Sequence, residues 1–86
     1  MHRVELTREA RAALDCLYER DRKLCDRMDA ALDDLAKTPR LGRPLTGTLK
    51  GRWSLRVGAY RVIYRIENAR LVVLVLDIGH RRDVYR

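Results

Sequence analysis

The stretch Lys50 to Arg65, KGRWSLRVGAYRVIYR, constrains this chain more than any other. Apolar and polar residues alternate on both sides of Gly58-Ala59, a pair small enough to close a two-residue hairpin turn. With the turn there, Val57 faces Tyr60. The register then sets Arg56 against Arg61, Leu55 against Val62, Ser54 against Ile63, Trp53 against Tyr64 and Arg52 against Arg65. One face carries Trp53, Leu55, Val57, Tyr60, Val62 and Tyr64, which is a core. The other carries Arg52, Arg56, Arg61 and Arg65, with only Ser54 and Ile63 among them. Like charges directly opposite one another destabilise a sheet, so such a hairpin calls for a polyanion.

The placement of charge agrees. Residues 1–49 hold 10 Lys/Arg and 9 Asp/Glu, a balance of +1, whereas residues 50–86 hold 9 and 3, a balance of +6. A field of this sign attracts phosphate backbones and acidic proteins, and says nothing about fold. At 86 residues the chain reads as one domain, residues 1–86, with a core for one sheet and one layer of helices. No apolar run is long enough to span a bilayer, and the start, MHRVELTREA, lacks the apolar stretch of a signal peptide. A soluble cytoplasmic protein is the expectation.

The elements on either side follow from periodicity. Val4 and Leu6 alternate with charged residues over His2 to Leu6, a short strand suited to a sheet edge. Thr7 can cap a helix whose apolar stripe is Ala10, Ala13, Leu14, Leu17 and Tyr18. A second helix, with Asp21 as its cap, carries Leu24, Cys25, Met28, Ala31, Leu32 and Leu35 and stops before Pro39. Cys16 and Cys25 have no zinc spacing and are expected as buried thiols. Asp29, Asp33 and Asp34 lack convergent partners and read as solvated helix charges. Gly42, Pro44, Gly47 and Gly51 mark a turn-rich connection, where Arg40, Arg43 and Lys50 extend the basic surface.

Beyond the hairpin, Leu71 to Ile78 is almost continuously apolar and reads as a central strand covered on both sides. A turn at Asn68-Ala69 sets Tyr64 against Val73 and Val62 against Val75. Val72, Leu74 and Leu76 then share the arginine side, an apolar floor that could underlie a nucleotide, hold down arginine stems or bind a protein. In that register Asp77 falls on the core side, beside Tyr60 or an arginine, with no catalytic role. The chain closes with GHRRDVYR, read as a short final strand, so His80 and Arg81 leave the far end of a central strand. The expected fold is α+β: an N-terminal strand, a helical hairpin, then an antiparallel meander with the helices on one face of the sheet.

Such a face has chemistry to offer RNA. Attack by a neighbouring 2′-hydroxyl needs a base, stabilisation of charge at phosphorus and an acid for the leaving 5′ oxygen, and in principle no metal. Arginines suit the charge term because the guanidinium fork matches phosphate oxygens and stays protonated. His80 and Tyr85 are the groups available for proton transfer, and Tyr85 or Trp53 can stack on a base. Charge and spacing alone favour simple RNA binding over cleavage.

Three motifs carry a resemblance over essentially the whole chain. These are L-x-G at Leu45 to Gly47, R-x-G-x-Y-R-V-I-Y from Arg56 to Tyr64, and G-H-R-R-D-V-Y from Gly79 to Tyr85. In them the chain resembles the RelE/ParE superfamily of bacterial toxin-antitoxin toxins, on the RelE side. The resemblance implies a toxin that enters the ribosomal A site and cuts mRNA without metal or cofactor, leaving a cyclic phosphate. It also implies a cognate antitoxin that masks the basic face and, in complex with the toxin, binds operator DNA. Carried over by position, Arg61 holds the scissile phosphate, Arg81 stabilises its developing charge, and Tyr85 stacks on a base or transfers a proton. Lys50, Arg52 and Arg56 support the backbone, with Arg65 and Arg82 in the same basic set. Ser54 stands where the best-known relative has a lysine, its presumed base, and His80 replaces another lysine and could supply the proton-transfer group. ParE-like relatives that inhibit DNA gyrase share the fold without nuclease chemistry, and they are the alternative. Arg81 and Tyr85 together favour the RelE side.

Overall fold

A computed structural model describes residues 1–80. The elements are β1 (Arg3–Leu6), α1 (Arg8–Arg20), α2 (Arg22–Lys37), β2 (Arg43–Pro44), β3 (Trp53–Val57), β4 (Tyr60–Glu67) and β5 (Val72–His80). Single 3-10 turns at Pro39–Leu41, Gly47–Leu49 and Asn68–Arg70 join them. Both helix starts use the caps that the sequence offers. The Ala10 amide donates to Thr7 Oγ1 at 3.2 Å, and the Leu24 amide donates to Asp21 Oδ1 at 3.1 Å.

The strands form one mixed sheet in the order β1-β5-β4-β3-β2, with β1 parallel to β5 and the other pairs antiparallel. The helices cover one face. Their stripe of Ala10, Leu14, Leu17, Met28, Leu32 and Leu35 packs on Val57, Val62, Tyr64, Val73, Val75 and Ile78. Cys25 is buried, and burial raises its thiol pKa, whereas Cys16 is exposed, contrary to the expectation of two buried thiols. Position explains the difference: Cys16 lies between the buried Leu14 and Leu17, just off the apolar stripe of α1.

The β3–β4 hairpin has the expected register from Trp53–Tyr64 to Val57–Tyr60, and Gly58 alone of the two turn residues takes a positive φ, 62°. The sixth expected pair, Arg52 with Arg65, does not form. Arg52 lies outside the strand, its amide turned to the Leu49 carbonyl and its carbonyl accepting from Leu45.

The β4–β5 register also departs from expectation, in two ways. The connection is longer than a two-residue turn: Glu67 pairs with Val72, and Leu71 closes the loop in the left-handed region at φ 54°. Tyr64 therefore faces Val75 instead of Val73. A β-bulge at Leu76 then adds one more step, so that Val62 faces Ile78 instead of Val75, and Asp77 pairs with Ile63. Because side chains alternate, the bulge moves Asp77 from the core side to the arginine side. Thr7 holds the bulge in place, its amide donating to the Val75 carbonyl at 3.0 Å and its hydroxyl to the Leu76 carbonyl at 2.8 Å.

Candidate nucleic-acid interface

The face away from the helices is built in rows. Arg43, Ser54, Ile63 and Asp77 follow one another across β2, β3, β4 and β5, and beside them run Arg56, Arg61 and Gly79. Ser54 and Ile63 are buried, Arg56 is exposed and Arg61 is half-buried, with its Nε shielded from solvent. A groove of about 660 Å³ opens here, lined by Arg43, Arg56 and Arg61 with Ser54 at its base and Leu41 and Leu45 on its wall. Three guanidiniums around an open groove suit phosphate oxygens, and the leucines suit the flat face of a base or sugar.

The wall is tied to the core by one side chain. Tyr64 is fully buried under the sheet, yet its hydroxyl donates to the Pro39 carbonyl at 2.7 Å and accepts from the Gly42 amide at 3.0 Å. Burial raises the phenol pKa, and the Gly42 hydrogen bond partly offsets the rise. Gly42 fits only because it lacks a side chain: a Cβ there would stand 2.6 Å from the Ser54 carbonyl oxygen and 2.7 Å from the Tyr64 hydroxyl. The clasp sets Arg43 opposite Ser54.

At the other end of the same face the arginines are matched by acids. Arg65 pairs with Glu67 at 2.8 Å, Arg70 with Glu67 at 2.7 Å and with Glu5 at 3.4 Å, and Arg3 with Glu5 at 2.7 Å. Hydrogen bonds from Arg65 and then Arg70 lower the Glu67 pKa. Val72 pairs with Glu67 and Arg3 within this ladder and is fully buried, while Leu74, opposite Arg65, is half-buried. Val72 and Leu74 thus share the arginine side as expected, and Leu76 is the bulge residue.

Among the expected site residues, Arg56 and Arg61 come together in the groove. Lys50 and Arg52 are exposed in the connection before β3. Arg65 stands two residues beyond Ile63 in the ion-pair ladder. His80 ends β5 opposite Tyr60, with the rings edge to face at 5.8 Å, and so sits on the other side of the sheet from Arg61, which pairs with Gly79. Arg81, Arg82 and Tyr85, and the short final strand read there, lie outside the described residues. Sequence reasoning missed Asp77 as a member of this face, because a bulge leaves no mark in the run LVVLVLDI. Among the described residues no three His, Cys, Asp or Glu side chains come together as a metal site, and no helix is long and apolar enough to cross a membrane.

Two helices on one face of a five-stranded mixed sheet are the architecture of the RelE, YoeB and ParE toxins. The profile described as the ParE toxin of the type II toxin-antitoxin system parDE matches residues 4–85, and the chain belongs to this family of toxins. It is 42% identical to Toxin RelG of Mycobacterium tuberculosis over 60 residues, 69% of each chain. It is 34% identical to Toxin RelE of the same organism over 86 residues, 99% of this chain and 87% of the other. The toxin-antitoxin complex RelBE2 of M. tuberculosis has a chain that superposes with a TM-score of 0.81 at 32% identity, covering 93% of this chain and 98% of that one. The isolated Escherichia coli RelE toxin shares the fold, with a TM-score of 0.78 at 18% identity over 99% and 92% of the two chains.

Proposed function

We propose that this toxin is a ribosome-dependent mRNA endonuclease that cuts in the A site by 2′-hydroxyl attack without metal, stops translation, and is neutralised by a cognate antitoxin. The observation that carries the reading is the groove where Arg56 and Arg61 stand directly opposite each other beside Arg43. Guanidiniums gathered in this way suit phosphate oxygens, and stabilisation of charge at phosphorus is what the cleavage step most needs. In this reading residues 1–86 act as one domain. Arg61 holds the scissile phosphate, Arg81 stabilises the developing charge, and Tyr85 serves proton transfer or stacking; His80, set opposite Tyr60 on the other side of the sheet, is left out of the proton transfer. Lys50, Arg52, Arg56, Arg65 and Arg82 meet the RNA backbone.

The high identity to RelG and RelE chains supports the RNA reading over gyrase inhibition, which the family's ParE description keeps as the second. The antitoxin would cover the basic face, with the toxin-antitoxin complexes among the structural neighbours as precedent, and the complex would bind operator DNA.

The test is to incubate the protein with ribosomes carrying a defined mRNA, and with that mRNA alone, and to map 5′ ends by primer extension. Cuts at the A-site codon only with ribosomes, lost in Arg61→Ala and Arg81→Ala, are the expected result. Intact mRNA in both tubes, with gyrase-linked DNA breaks in cells, would overturn it in favour of the second reading.

A further inference from the structure

We propose that Asp77 is the base that takes the proton from the attacking 2′-hydroxyl, an inference that rests on the endonuclease reading. The bulge at Leu76 turns Asp77 onto the arginine side, opposite Ile63 and one row from Arg61. Thr7 fixes that bulge through two carbonyls, Val75 and Leu76, while capping α1, so the rotation of Asp77 is built into the fold. One carboxylate oxygen accepts from the Ile78 amide at 2.9 Å, which orients the group.

Gly79, the partner of Arg61, brings no side chain to this row. Asp77 lies two residues away on the same face of β5, about 7 Å along the strand, and roughly 7–8 Å diagonally from Arg61. That spacing suits a phosphate on the arginine and the adjoining ribose on the carboxylate. Ser54, in the same row, cannot act as a base of comparable strength, and His80 stands on the other side of the sheet.

The step balances with the groups present. The 2′ oxygen gives its proton to the Asp77 carboxylate and forms a bond to phosphorus. The bond from phosphorus to the 5′ oxygen breaks, and that oxygen takes a proton from an acid of the site or from water. A 2′,3′-cyclic phosphate and a 5′-hydroxyl result, and Asp77 returns its proton to water.

The experiment compares single-turnover cleavage of ribosome-bound mRNA by the wild type, Asp77→Asn and Asp77→Glu, with ribosome binding and melting temperature measured alongside. Asn keeps an oxygen for the Ile78 amide and removes only the basicity; Asp77→Ser is the second variant should Asn fold poorly. The expected result is a loss of about 100-fold or more in rate for Asn, at unchanged binding and melting temperature, with part of the rate restored by Glu. Cleavage by Asp77→Asn within about threefold of the wild type overturns the assignment. So does a loss that only tracks weakened binding or folding, which would make Asp77 structural. A wild type that leaves ribosome-bound mRNA intact instead removes the endonuclease reading, and this role with it.

Discussion

Tyr64 shows how a single hydroxyl links the core to the groove. Tyr64→Phe keeps the buried ring stacked with Trp53 at 6.3 Å, but strips a partner from both the Pro39 carbonyl and the Gly42 amide. Each lost bond in a part-buried setting costs on the order of 1 kcal/mol, so we expect about 1–3 kcal/mol less stability by denaturant melts. Hydrogen exchange should quicken at Gly42 and Arg43 and stay slow in β4. The same side chain gives a pH signature. Its pKa is raised above the ordinary value of 10.0, so its contribution is fully present below that pH. It declines at higher pH, where the unfolded chain ionises first. The difference in stability between wild type and Tyr64→Phe should therefore narrow as pH rises past that value. Leu71 offers the opposite case. It is exposed and left-handed at φ 54°, a conformation costing roughly 1–2 kcal/mol for a residue with a Cβ, against about 0.5–1 kcal/mol for the added freedom of glycine. Leu71→Gly should raise stability by up to about 1 kcal/mol, and a lower melting temperature would refute the strain argument.

The β3–β4 hairpin and the β4–β5 pair differ in how plainly they declare themselves. In the hairpin, Trp53, Leu55 and Val57 alternate with polar residues and Gly58 marks the turn, so one register satisfies both signals. In β5, apolar residues occupy successive positions from Val72 to Leu76, so a slip leaves the pattern unchanged, and the left-handed turn residue is Leu71, where a glycine would have announced it. The two-residue β2 was hidden for another reason: Arg43–Pro44 pairs only because the Tyr64 clasp brings it beside β3. Alternation alone thus set Arg56 and Arg61 on one face of the sheet, whereas the place of Asp77 was not legible. The ladder of β1, β4 and the loop before β5 also ranks the arginines. Glu67 already holds Arg65, whereas Arg56 faces another arginine. In RNA binding followed by fluorescence anisotropy, Arg56→Ala should weaken affinity several-fold more than Arg65→Ala and flatten the salt dependence by close to one phosphate contact. Equal losses would mean that RNA pulls Arg65 away from Glu67.

In the assembled molecule, about 35 × 28 × 21 Å, the described residues put one layer of helices on one face of the sheet and the groove and the ladder on the other. A single layer suffices for the core because Tyr64, Met28, Leu35, Val62, Val73 and Val75 fill the space between. The long-range pairing of β1 with β5 joins Arg3 to Val72, so the first strand finds its neighbour only through the last described one. Both helices lie between them in the chain and pack on the surface that this pairing completes. Contacts of such sequence separation form late, after the loop they close has been paid for in entropy. On a translating ribosome, then, β4, which carries Arg61 of the groove, lacks its neighbour in the sheet until β5 has left the exit tunnel. Nascent chains arrested before Val72 should be cut readily by protease, and chains released past His80 should resist. A toxin acting as proposed above would in this way stay inert while its last described strand was still inside the ribosome.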